Sequence, residues 1–166
     1  DQANVVLPIG YVTAHSLDER LARVSLNGTI ETRAAGATAL VAQRGSLSAA
    51  ASITIGEPSD PAAMLAYLFG VDAYPNTITL VPGGQKQLMV RLGEKHVTAD
   101  PDTHYVIADR CLVAVDEQGL LTALGEGQTR VTVIHRGAVE SIVVSVLLPQ
   151  FVSVLVNEAG SIVARE

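Results

Sequence analysis

The sequence predicts an all-β chain: two β-sandwich units in tandem, joined by a short helical linker. Three observations carry this. The apolar stock is mostly Val, Ala, Leu and Ile, laid out in short runs that alternate with polar residues. Turn residues punctuate those runs at close intervals. The sequence also repeats itself at a fixed spacing, so the folding unit is shorter than the chain.

The 166 residues suffice for one ordinary domain or two small ones. With 48% hydrophobic and 17% charged residues, the chain can pack a core and does not read as disordered. Four Tyr, two Phe and no Trp are too few aromatics for a sugar-stacking platform. The net charge is −6 and the basic residues are scattered, which excludes the electrostatic footprint of a nucleic-acid binder. Cys111 is the only cysteine, so no intrachain disulfide can form. Its apolar neighbours Leu112 and Val113 predict a small buried hydrophobe. Apolar stretches such as residues 141–148 are too short for a membrane-spanning helix. Without an initiator Met, the expectation is a processed protein or a piece of a longer one.

The repeat is visible when the stretch from Asp18 is laid under the stretch from Asp109. Leu21 falls on Leu112, Val24 on Val115, Gly28 on Gly119, Gly36 on Gly127 and Thr38 on Thr129, all at an offset of 91. The Arg-Gly pairs at Arg44 and Arg136 then stand one residue out of step, which reads as an extra residue near His135. The final strands recover the offset, with Ile53 and Ile55 on Val144 and Val146.

The elements follow in order. In the first unit Asn27-Gly28 signals a hairpin, and that reading is preferred to the glycosylation acceptor the same Asn27-Gly28-Thr29 spells. Between the units, Ser59 or Asp60 can cap a helix, Pro61 suits its first turn and Gly70 can stop it, which predicts a helix over 61–69. Met64, Leu65, Leu68 and Phe69 make that helix mostly apolar. Alone it would be unstable, so it is expected to pack in the crevice between the units, with an exposed partner site as the alternative. In the second unit, residues 113–115 lead into a turn ending at Gly119, then a strand at 120–123, a Gly125-Glu126-Gly127 corner and the alternating Val131 and Val133. That corner is not a phosphate loop. Strand periodicity follows it instead of a helix, no Lys-Ser/Thr pair is present, and the first copy has Ala34 in place of Gly125.

Over residues 74–148 this pattern resembles the group 2 bacterial immunoglobulin-like domain, the module strung together in invasin- and intimin-type adhesins. The resemblance rests on the opening "TITLVPGGQKQLMV", on "VTAD", and on the motif carried by Val115, Gly119 and Gly127. The family often has a core Trp ten residues before the valine matched by Val115. Tyr105 holds that place here and Ala14 in the first copy. The resemblance implies immunoglobulin-like sandwiches, no shared catalytic site, and a spacer or adhesive role in a secreted or cell-surface protein.

The expected division is therefore a first unit over 1–57, a linker over 58–73, a complete unit over 74–148 and a β tail over 149–166. Residues matching 74–91 are missing from the first unit, because Asp1 falls on Leu92. The tail's alternating residues 152–156, its turn at Gly160 and residues 162–164 resemble those missing strands. Two readings stand: a fragment of a tandem array, or strand donation from the tail of one chain to the head of another.

Asp100 and Asp102 in "TADPDTH" are the best metal candidates, able to offer carboxylates to calcium, although Asp-Pro-Asp is also an ordinary turn signal. His15, His96, His104 and His135 show no zinc spacing, and no other cofactor is called for. No nucleophile elbow or activated cysteine is present, so no enzyme is expected. Partners are expected to be proteins, or further copies of the chain, meeting sheet edges. An accessory module of a secreted enzyme is the alternative function.

Overall fold

The computed structural model describes residues 10–149, together with the short strands at 155–156 and 162–163. The fold is all-β with one short helix. The first unit holds β1 (Thr13–Ser16), β2 (Ala22–Val24), β3 (Ile30–Thr32), β4 (Gly36–Arg44) and β5 (Leu47–Ile55). A sheet of order β1-β4-β5 is joined by the separate β2-β3 hairpin. The helix α1 spans Pro61–Phe69, capped by the Asp60 carboxylate on the Ala63 N–H (2.9 Å) and closed at Gly70, as its sequence signals require.

The second unit follows as β6 (Asp72–Tyr74), β7 (Thr77–Leu80), β8 (Gln85–Gln87), β9 (Met89–Leu92), β10 (Lys95–His96), β11 (Thr103–Ile107), β12 (Val113–Val115), β13 (Leu120–Ala123), β14 (Gly127–His135) and β15 (Ala138–Val146). A four-stranded sheet β11-β14-β15-β7 faces the strands β12-β13-β8 and β10-β9-β6. Between them lies the core, in which Leu88, Val90, Val113, Leu121, Val131 and Val144 are buried. Of the stretch read as linker, residues 72–73 already pair with β9 and so lie in a sheet. In the tail, β16 (Leu155–Val156) pairs antiparallel with β17 (Ile162–Val163). The rest of the predicted tail strands lies outside the described residues.

The repeat recurs as hydrogen bonds 91 residues apart. The Asp18 N–H donates to Thr38 Oγ1 (3.1 Å), and the Asp109 N–H to Thr129 Oγ1 (3.0 Å). Each aspartate then accepts the N–H two residues on, that of Arg20 or of Cys111. Gly36 (φ +150) and Gly127 (φ +143) leave room for Leu21 and Leu112 respectively. The turns before β3 and β13 close alike, with the Gly28 N–H on Ser25 O and the Gly119 N–H on Asp116 O. In each, positive φ falls on the glycine alone, so Asn27-Gly28 is not the two-residue turn its dipeptide suggests.

One register expectation is overturned. Gly36 pairs with Ile55 and Arg44 with Leu47, while Gly127 pairs with Val146 and His135 with Ala138. The offset stays at 91 throughout, and no extra residue exists. The two hairpins turn differently. Gly45 (φ +59) takes the first central position of one, whereas Arg136 (φ +49) and Gly137 (φ +85) both take positive φ in the other. The glycine moved by one position; the chain did not.

Candidate functional site

The two units meet face to face, and this seam is the most elaborated feature of the molecule. Ala39 and Val41 of β4 bury against Val106 and Ile134 on the outer face of the second unit's sheet, with Ala50 and Val139 beside them. Alanines on β4 and β5 let the sheets approach closely. Ser48 donates its hydroxyl to the Ile107 carbonyl (2.5 Å) and its N–H to Ala108 O (3.0 Å), and the Arg110 N–H reaches Ser46 O (3.1 Å). Leu47 and Asp109 complete an antiparallel bridge. Strand β5 is thus stitched to the end of β11 by backbone bonds.

A cleft of about 800 Å³ opens beside the seam, lined by Asp18, Arg20, Asp60, Asp102, His104 and Arg136 among others. Arg136 spans it. Its guanidinium bonds Asp60 (2.6 Å) and Asp102 (2.7 Å), so one side chain ties the helix cap to the loop before β11. At Asp18 the hydrogen-bonded Arg20 guanidinium holds the carboxyl below its usual range.

The candidate calcium ligands are drawn into this lattice. Asp102 Oδ2 faces Arg136, while Asp100 accepts the Asp102 N–H (3.0 Å) and lies 3.8 Å from Lys95. Among the described residues no three His, Cys, Asp or Glu side chains converge as a metal site would require. His135 is buried, its Nδ1 2.8 Å from Thr103 Oγ1. That hydroxyl already donates to Val97 O (2.6 Å), so Nδ1 must carry the proton. Burial lowers the His135 pKa. Tyr105, at the family's Trp position, donates to Thr98 O (2.9 Å), and burial pushes its phenol up to about 12. Val24 and Val115 end β2 and β12, both half-buried.

Two expectations fail here. Cys111 is exposed, because Leu112 turns inward over Gly127 and the cysteine faces solvent on the turn that starts at Asp109. The helix does not bury its apolar residues in the crevice. Only Ala66 is buried, and Leu65, Leu68 and Phe69 are 49%, 62% and 73% exposed. With large apolar groups on every side it has no single face to bury.

Sequence reasoning missed Ser48, Arg136 and Gly137. The run Ser48-Ala49-Ala50-Ala51-Ser52 was the available sign of a closely packed strand. Nothing in sequence joins Arg136 to Asp60.

The first unit's other face stays open. Leu40 and Ile53 are half-exposed and Ala51 is exposed, whereas the matching Val131, Val144 and Ile142 are buried. Leu40 and Ile53 each forgo part of the about 1.5–3 kcal/mol that full burial of such a side chain contributes.

Residues 70–144 match the family model of the bacterial Ig-like domain (group 2). No curated protein sequence matches the chain. Among solved structures, the S-layer protein SbsC is similar at 15% identity and a TM-score of 0.42, covering 93% of this chain. This chain spans only 24% of that one. Domains 4 and 5 of the same S-layer protein match at 14% identity and a TM-score of 0.40, with 83% of this chain and 71% of that one covered. Human protocadherin-24 EC1-2 matches at 9% identity and a TM-score of 0.31, over 89% of this chain and 85% of that one. The fold is immunoglobulin-like.

Proposed function

We propose that the chain is a non-catalytic structural or adhesive segment of a secreted or cell-surface protein, built from tandem immunoglobulin-like units. The single observation that carries this reading is the seam. Ser48 and Ser46 bond Ile107, Ala108 and Arg110 across it, and Arg136 ties the second unit to the helix cap at Asp60. A joint fixed by backbone bonds and close packing transmits force and sets the spacing of whatever the longer protein carries. In this reading the buried polar groups Thr38, Thr129 and His135 serve the architecture, each through a named hydrogen bond. Partners meet sheet edges and loops, and Asp100 and Asp102 act as turn and ion-pair residues without a cofactor.

Protease shaving of intact cells that make the full-length protein tests the placement. Fragments from this region should be released before lysis. If they stay protected until the cells are opened, a surface role is excluded.

A further inference from the structure

We propose that Asn27 is a site of spontaneous covalent modification, at which the Gly28 main-chain nitrogen displaces the side-chain amide to give aspartate and isoaspartate. The reaction needs an asparagine whose next residue leaves its nitrogen uncovered, in a segment that can open. Asn27 is the only asparagine in the sequence followed by glycine. Asn27, Gly28 and Thr29 are all exposed, and a Cβ built at Gly28 would meet nothing within 4 Å.

The turn folds the amide toward the attacking atom. The Thr29 N–H donates to Asn27 Oδ1 (3.2 Å), a bond that lays the side chain back along the Gly28 peptide. The Ser25 hydroxyl donates to the same oxygen. Both donors draw electrons from Cγ and face the oxygen on which charge develops during attack. One bond restrains the step: the Gly28 N–H donates to Ser25 O (2.9 Å). Its release is local. Strands β2 and β3 pair over three residues each in a two-stranded sheet of their own, and β3 is exposed throughout. Such a hairpin has little stability of its own and opens without the rest of the fold.

The second unit supplies the contrast. Gln118-Gly119 fills the matching turn, but the longer glutamine side chain would have to close a larger ring. There Asp116 Oδ1 takes the Gln118 and Leu120 N–H groups, so the turn is tied by a carboxylate with no amide to lose. Strand β13 is also paired on both sides, by β12 and β8. Asn76 is exposed too, but the β-branched Thr77 follows it in a strand paired to β15.

The step balances with water and hydroxide alone. Hydroxide takes the Gly28 N–H proton, the nitrogen bonds Asn27 Cγ, and the Cγ–Nδ2 bond breaks to release ammonia. Water then opens the cyclic imide. Cleavage of the bond from the Gly28 nitrogen to Cγ leaves an ordinary aspartate. Cleavage of its bond to the Asn27 carbonyl carbon leaves isoaspartate, with an extra carbon in the main chain. Either product adds a negative charge to a chain already at −6. The extra carbon also lengthens the turn and puts Val24 and Ile30 out of register.

The test is peptide mapping by mass spectrometry of the folded full chain, incubated at neutral and at mildly alkaline pH, with ammonia measured alongside. Acid should appear at position 27, as aspartate and isoaspartate, with an equal amount of ammonia and faster at the higher pH. Gln118 and Asn76 should keep their amides. Gly28→Ala should slow the conversion, because a Cβ then crowds the nitrogen, and Asn27→Gln should abolish it. In case Gly28→Ala disturbs the turn, synthetic peptides of residues 22–32 with glycine or alanine at 28 should show the same slowing. Hydrogen exchange at Gly28 should be faster than at Val131 and Val144 in the core. A folded chain that keeps Asn27 intact while the glycine peptide is converted overturns the proposal, since the bond to Ser25 then protects the amide. Equal conversion at Asn76 overturns it as well, since exposure alone would then suffice.

Discussion

Gly137 lies hard against Ala37: a Cβ on the glycine would stand 2.5 Å from the Ala37 carbonyl carbon. Its φ of +85° adds strain for any other residue. Gly137→Ala should therefore force the seam apart and destabilise the chain by about 2–4 kcal/mol. Gly45 turns the other hairpin at φ +59° with nothing within 4 Å, so Gly45→Ala should cost only the backbone term, about 1 kcal/mol. Urea unfolding of both variants decides it. Equal losses would mean that the close approach of the units carries no energy.

Ser48→Ala removes the hydroxyl that satisfies the Ile107 carbonyl inside the seam. The orphaned acceptor should cost about 1–3 kcal/mol. Ser52→Ala, on the exposed stretch of the same strand, should change stability by less than about 0.5 kcal/mol. A Ser48→Ala variant as stable as the parent would mean that water replaces the bond and that the seam is wet.

The sequence was legible where chemistry is local. Asp60, Pro61 and Gly70 marked the ends of the helix, and Gly36 and Gly127 marked corners whose positive φ and leucine contacts admit little else. It was not legible where partners are distant. The bond of Arg136 to Asp60 joins residues 76 positions apart, and the contact of Ser48 with Ile107 joins residues 59 apart. The phantom insertion near His135 shows a third kind of failure. A type I′ turn and a turn led by glycine place their glycines one position apart, so matching letters misaligned two hairpins whose strands share one register.

Gly28 and Gly119 hold matching turns but different surroundings. A Cβ at Gly119 would meet Thr98 Cγ2 at 2.6 Å and the Tyr105 hydroxyl at 2.9 Å, while at Gly28 nothing lies within 4 Å. Ala14, which stands where Tyr105 stands, accounts for the missing hydroxyl contact, and the residue matching Thr98 lies outside the described residues. Gly119→Ala should cost about 2–3 kcal/mol and Gly28→Ala about 1 kcal/mol. Trimming Tyr105→Phe should recover little of the Gly119→Ala loss, because Thr98 remains. A Gly28→Ala loss equal to that of Gly119→Ala would show the first turn to be packed in solution.

Calcium at Asp100 and Asp102 would have to displace Arg136 and Lys95 from those carboxylates. Millimolar calcium, or a chelator, should therefore shift the thermal midpoint by less than about 1 °C. A rise of several degrees with calcium, lost in Asp102→Asn, would restore the metal reading.

His135 should make the fold sensitive to pH in a definite window. Its ring is buried beside Thr103, and burial, the largest influence, lowers its pKa below the ordinary 6.5. The carboxylates of Asp100 and Asp102 pull the other way, and Arg136 and Lys95 reinforce burial. Between the folded and unfolded values, the unfolded chain binds a proton that the folded chain refuses, so stability rises with pH there. The contribution is complete above about 6.5 and is lost as pH falls through the folded value. Asp18, held low by Arg20, loses its contribution only as pH falls below about its ordinary 3.8, which leaves the window just below pH 6.5 to the histidine. Urea midpoints taken from pH 8 to 5 should fall in the parent chain and stay flatter in His135→Gln, which can still donate to Thr103. A parallel decline in both would show that protonation at this ring is not the cause.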